Sequence, residues 1–389
     1  MKKYITKISL LFVSLLVISS GVILPSLPEI TVEYREMNAT FVELLGTLPA
    51  LFTMLTVLFS PRLAKKIGYK LTVQLGLILL FISGILPIFV SNFWILFATR
   101  IGFGIGVGFF NPLLFSFSSA MYQDKELSDM IGYQSAFEGM GGIVTSFLVA
   151  YLVVGGWRHT LWTYLMVIPI FLLFTLFVPD LQNEASELET TKQAKKSFRL
   201  DLSFVIYLFL LIILITVYMS ISVKLTSLLT EGGFGTARDS SNALALMGIG
   251  AMGAGFLFGR VEAFFKQWLL PLAFSLLALS LLGLALTHQV WLIMLMCLLS
   301  GLSFRTFIPF LLNRANQVTD GSGEQRTSLL LAGFNIGSAF APVSVRLLQN
   351  PFQLKTVSSI YLVEAGLVFL LALLTLIFSI MPRSKSFRS

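Results

Sequence analysis

From Tyr4 to Met381 the chain is a succession of apolar stretches, each about 20 residues long, separated by short polar loops. A helix needs that length to cross the hydrocarbon of a bilayer. Twelve such stretches can be counted, at 5–28, 41–61, 70–91, 93–121, 128–154, 160–179, 203–229, 240–260, 267–287, 290–313, 326–348 and 356–381. The alternation of apolar and polar residues that marks a membrane barrel is absent. Backbone polar groups in lipid must be satisfied within each segment, so the pattern predicts an all-α membrane protein. The N-terminus, two lysines and then an apolar run, has the outline of a secretory signal. The run is long and no A-x-A site follows it, so it is read as a retained first helix.

Composition agrees: 56% of residues are hydrophobic, 12% are charged, and mean hydropathy is +0.87. Soluble domains carry about 25% charged residues. The net charge of +8 does not indicate nucleic acid, because the basic residues sit in loops. Of the 27 Lys and Arg, nineteen fall in one set of loops and five in the other; Arg100, Lys224 and Arg305 lie inside spans. Basic loops stay in the cytoplasm, so both termini are expected there, in a plasma (inner) membrane. One cysteine and two histidines, His159 and His288, exclude a disulfide framework and a Cys/His metal centre.

The polar stretch from Asp180 to Asp201 divides the spans into six and six. The expected organisation is an N-terminal six-helix bundle at 1–180, a cytoplasmic linker at 181–202, and a C-terminal bundle with a short tail at 203–389. The halves also resemble each other. A shift of 197 residues places Gly104 on Gly301, Pro112 on Pro309 and Phe137 on Phe334, with Glu138 opposite Asn335. Internal duplication of this kind is characteristic of secondary transporters, which bind their substrate between the repeats.

Ionisable residues inside spans mark candidate sites, because a charge in lipid is costly unless it serves a purpose. Glu138 lies about 15 Å from the nearer end of the fifth span. It is the leading candidate for proton coupling or for binding a cationic substrate. Arg305, deep in the tenth span, is its basic counterpart and alternatively an anion ligand. Arg100 lies about 10 Å into the fourth span and should face the protein interior. Asn111, Gln134 and Asn335 are further substrate-cavity candidates. Lys224 is expected to snorkel outward from the seventh span. Gly104, Gly106 and Gly108, with Gly139, Gly141 and Gly142, are expected to permit close helix packing. The G-x-G-x-x-G within the fourth span is no dinucleotide motif, because it neither follows a strand nor opens a helix.

The loop SPRLAKKIGYK, Ser60 to Lys70, resembles the loop signature of the major facilitator superfamily, roughly G-x-L-x-D-R-x-G-R-K. Leu63, Lys66, Gly68 and Lys70 match; Pro61 and Lys65 stand where the first Gly and the Asp are expected. The resemblance implies a gating loop that includes Lys65, Lys66, Gly68 and Lys70. Arg100 followed by Gly104, Gly106 and Gly108 is similar to the family's R-x-x-x-G-x-G motif, whose arginine is linked to proton coupling. The glycines after Glu138 resemble the fifth-span signature of the family's antiporters, without its Pro. The G-W-R turn at Gly156 to Arg158 is also family-like, and reads as structural. The resemblance covers the whole chain and implies two pseudo-symmetric six-helix bundles about a central cavity, the major facilitator fold. It also implies that the twelfth span is peripheral, and Glu364, which lies in that span, is discounted on that ground.

The expected function is secondary active transport by alternating access: proton-coupled efflux of small, drug-like molecules, as in bacterial drug–proton antiporters. The alternative is an importer or exchanger of a small organic anion. Expected partners are the substrate, protons or another coupling ion, and the bilayer, for a monomeric chain. No cofactor is expected. A membrane enzyme is disfavoured because no catalytic set surrounds either histidine, and a sensor because no soluble domain is present.

Overall fold

The computed structural model describes residues 2–180, 202–316 and 323–380. Among these residues, twelve helical segments are long and apolar enough to cross a membrane. In chain order the spans are Tyr4–Glu33, Ala39–Val57, Tyr69–Ile88, Phe93–Met121, Lys125–Gly155, Trp157–Phe177, Phe204–Glu231, Ala237–Phe258, Leu269–Leu286, Val290–Ile308, Leu329–Pro351 and Val357–Ile377. The even number of crossings returns the chain to the face where it began. That face is called terminal here, and the opposite one distal. The linker expected at 181–202 lies outside the described residues, except for Leu202, which opens the seventh helix. The tail beyond Ile380 lies outside them as well.

Local signals explain where spans begin. The Asn38 side chain accepts from the backbone N–H of Thr40, and Asn92 from those of Trp94 and Ile95, so each caps the helix that follows. Thr236 and Asp239 form a reciprocal capping box at the eighth span. The first span departs from the sequence expectation. In place of one helix ending near residue 28 there is a helix at Lys2–Ser14, a 3₁₀ segment at Ser19–Ser26, and a second helix at Leu27–Glu33. Pro25 lacks an N–H and so cannot continue an α-helical ladder.

Two hydrophobic cores form, one per half. The first gathers Phe103, Phe110, Phe117, Trp157 and Phe174; the second gathers Phe204, Phe274, Phe307 and Tyr361. Span four packs on two and three, as ten packs on eight and nine. The 197-residue repeat is visible at atomic level. A Cβ on Gly104 would strike the span-two backbone at Pro49, and one on Gly301 would strike the span-eight backbone at Met247. The halves meet through spans two with eleven and five with eight, and through the distal part of span one against span seven.

Candidate functional site

Glu138 and Arg305 come from opposite halves, on spans five and ten. Arg305 is the charged group whose field acts on Glu138. Both side chains are half-buried. Glu138 makes no hydrogen bond or ion pair with any described residue, so its carboxyl is free to hold a proton or a ligand group. Aromatic residues flank both members of the pair along their helices. Phe304, adjacent to Arg305, stacks on Tyr218 with centroids 4.0 Å apart and also meets Phe334. Phe137, adjacent to Glu138, meets Phe12 edge-on. Towards the terminal face, Tyr4, Lys7, Ile8, Leu11, Phe12, Tyr133 and Phe137 line a groove of about 460 Å³, where Lys7 Nζ sits 4.4 Å from the Tyr133 ring centroid.

Several expected site residues lie elsewhere. Arg100 is fully buried in the N-terminal half. It donates from Nη2 to the Ser83 carbonyl at 3.1 Å, lies against Phe103 and interacts with Tyr164. Its neighbours come from spans three, four and six, so the structure brings Arg305, and not Arg100, to Glu138. Gln134 is 1% exposed and donates to the Leu114 carbonyl of span four, so it belongs to a helix interface and not to a cavity wall. Asn335 donates to the Leu331 carbonyl of its own helix. Asn111 is half-buried, and its Oδ1 has no hydrogen-bond partner among the described residues.

The packing glycines divide by azimuth. Gly104 and Gly108 abut the span-two backbone, Gly106 abuts the Gly76 carbonyl of span three at a Cβ distance of 2.7 Å, and Gly141 abuts the Leu15 carbonyl of span one. Gly142 is in ordinary contact with Ile18. Gly139 points into open space: a methyl group there would meet nothing within 4 Å, so the packing role expected of it is not present. In the basic loop, a helix at Ser60–Ile67 exposes Lys65 and Lys66 and stops at Gly68, where φ is +99°. The Asp180 carboxylate accepts from the Lys70 backbone N–H at 3.4 Å, a contact the sequence did not suggest. An acidic group there suits the positive end of the third span.

Towards the distal face, bonds join the two halves. Arg346 donates to Asn38 and Thr40, and the Thr47 hydroxyl donates to the Ala339 carbonyl. Lys224 does not snorkel outward. It forms an ion pair of 2.5 Å with Glu43 of span two, and the side chains are only 12% and 13% exposed. Glu364, although on a peripheral span, is 1% exposed and lies 2.6 Å from the Ser220 hydroxyl. Sequence reasoning missed this cluster. The available signal was two opposite charges at similar depth, Glu43 in span two and Lys224 in span seven, each in need of a partner. The W-R turn is structural, as expected. Glu33 accepts from Trp157 Nε1 at 2.6 Å and from both terminal nitrogens of Arg158 at 2.8 and 2.6 Å, closing span one against span six.

Solved structures with the same fold include a peptide transporter, POT, in complex with alafosfalin (TM-score 0.71, 13% identity, covering 96% of this chain and 94% of that one). Another is a bacterial homologue of the human lysosomal transporter Spinster, in an inward-facing, unoccupied conformation (0.69, 16%, 97% and 95%). A third is a D-xylose–proton symporter (0.72, 13%, 96% and 97%). No curated protein matches the sequence. The family description Major Facilitator Superfamily matches residues 10–312. With twelve spans, two similar halves and a charged pair between them, the chain belongs to the Major Facilitator Superfamily of membrane transporters.

Proposed function

We propose that this protein is a proton-coupled transporter that expels small, drug-like molecules by alternating access, with Glu138 as the coupling carboxyl. The observation that carries this reading is the unpartnered Glu138, held opposite Arg305 of the other half. A permanently paired carboxyl would serve packing; an open one can exchange protons. Protonation removes its attraction to Arg305, and with it a force between the halves. The aromatic residues on the helices that carry the pair, Phe304 with its partners Tyr218 and Phe334, and Phe137, support a preference for apolar or aromatic substrates. The excess of Lys and Arg in the terminal-face loops supports a cytoplasmic terminal face and a distal face outside a plasma membrane. Lys65, Lys66, Gly68 and Lys70 then form a cytoplasmic gating loop, and the chain works as a monomer of two bundles joined by the 181–202 linker.

The test is growth inhibition in a host lacking its main efflux pumps. Lipophilic cations, neutral antibiotics and weak organic acids would be compared in cells expressing the native chain or Glu138→Gln at matched levels. Protection by the native chain, lost in the variant, is the expected result. Absence of protection against every compound refutes efflux. A second reading, uptake of a small organic anion, is favoured by the position of Arg305, which forms no ion pair with a described residue. Its signature is uptake of labelled carboxylates that Arg305→Ala abolishes.

A further inference from the structure

The distal cluster holds two carboxyls, Glu43 and Glu364, but one ammonium, Lys224. Lys224 is engaged by Glu43 across the interface between the halves. Glu364 reaches span seven through Ser220, one turn below Lys224 on the same helix face. The Ser220 hydroxyl lies 2.7 Å from the Val217 carbonyl and 2.6 Å from Glu364 Oε2. A hydroxyl has one hydrogen, and a carbonyl oxygen only accepts. The Ser220 hydroxyl donates to Glu364 Oε2, and the Val217 carbonyl, three residues back on the same helix, is its second close neighbour. Glu364 is 1% exposed, its hydrogen-bond partner among the described residues is a neutral hydroxyl, and the nearby ammonium of Lys224 is held by Glu43, so a carboxyl buried without its own counter-ion is suited to carry a proton.

We propose that Glu364 is a second proton-binding site, and that its proton keeps the distal gate closed by leaving Lys224 to Glu43. When the proton passes to water entering from the distal side, the Glu364 carboxylate competes for the same ammonium. Lys side chains on a helix lean towards its N-terminus, so Lys224 already extends over the turn that carries Ser220. Its transfer from Glu43 to Glu364 breaks the ion pair between the halves and leaves Glu43 to the water of an open vestibule. The charge inventory around Glu364 is short. Lys224 acts from span seven, Tyr361 lies one turn away on its own span, and Cys297 lies behind Tyr361 on span ten. Span nine, which packs along span twelve, has no titratable residue. Glu231 and Arg346 act on Glu43 from the distal rim. The proposal rests on the proton-coupled alternating-access reading, but on residues other than Glu138 and Arg305.

The experiment places spin labels at Glu36→Cys and Arg238→Cys, exposed positions on opposite halves of the distal face, in nanodiscs; Cys297 is buried and is left in place. Distances are recorded across a pH series. In the otherwise native chain the closed-to-open ratio should fall as pH rises, by at most about tenfold per pH unit, the limit for one proton. In Glu364→Gln, which stays neutral at every pH and still accepts from Ser220, the closed distance should persist throughout. Ser220→Ala removes a donor to the Glu364 carboxylate, so the transition should move to higher pH. A pH response in Glu364→Gln equal to that of the native chain, or no response in the native chain, overturns the proposal. A response lost in Glu138→Gln but kept in Glu364→Gln also overturns it, and leaves the central carboxyl as the coupling site.

Discussion

Spans eight and ten cross where Gly250 and Gly301 interlock, and replacing Gly301 by alanine should be costly although alanine is the better helix former. A Cβ on Gly301 would collide with the Met247 carbonyl oxygen and lie 2.9 Å from the Ala251 nitrogen. On the facing helix, a Cβ on Gly250 would lie 3.2 Å from the Leu302 nitrogen. These obstacles are backbone atoms, which cannot swing aside as a side chain does, so the helix axes must part by about 1 Å or more to restore ordinary carbon contacts. Overpacking of this kind costs about 1–3 kcal/mol. The helix propensity of alanine returns up to about 1 kcal/mol, and with backbone atoms as the obstacle the cost falls at the upper end of that range, for a net loss of about 2 kcal/mol. Gly253, on the same span eight, provides the control: nothing lies within 4 Å of its Cβ position, so Gly253→Ala keeps only the propensity gain. Thermal unfolding of the two purified variants, followed by size-exclusion chromatography after heating, should move in opposite directions from the native midpoint. A Gly301→Ala midpoint at or above that of the native chain would refute the argument. Arg305 follows Gly301 by one helical turn, so the variant should also transport more slowly.

The remaining expectations concern single contacts. Arg100→Lys should destabilise the N-terminal half by about 2 kcal/mol, because the shorter ammonium loses the charged hydrogen bond from Nη2 to the Ser83 carbonyl; an unchanged unfolding midpoint would contradict this. Glu33→Gln weakens the brace to Trp157 and Arg158, which is partly exposed and so worth on the order of 1 kcal/mol; protease cleavage at the distal end of span one should rise, and unchanged cleavage would count against the brace. Gly139→Ala should be tolerated and Gly141→Ala should not, since a methyl meets open space at the first and the Leu15 carbonyl at the second; equal expression and melting of the two would dispute the assigned azimuths.

Span count and the doubling of the fold were readable in the sequence, because length and apolarity are demands that each crossing meets alone. The approach of Arg305 to Glu138 was readable for a similar reason: both are deep charges, and depth follows from position along a span. Azimuth was not readable. It decides that Gly141 meets span one while Gly139 does not, and that Gln134 turns to Leu114 while Glu138 stays open. Partners from distant spans were equally hidden. Arg100 is enclosed by residues of spans three and six, and Lys224 was assigned to the surface because Glu364 was discounted and Glu43 not considered, with no means of seeing that three helices converge there.

The first span changes pitch part-way through, and this gives it a mechanical character. In the 3₁₀ segment Ser19–Ser26 the rise is about 2.0 Å per residue, against about 1.5 Å in the helices on either side. Such a segment is a joint. Below it, Lys2–Ser14 is bound to spans five and six of its own half; above it, Leu27–Glu33 rests partly on span seven of the other. A rocking motion of the bundles therefore need not drag span one as a rigid rod. Its upper third can pivot with the neighbour it touches, so that bending concentrates at eight residues and the helices on either side are spared.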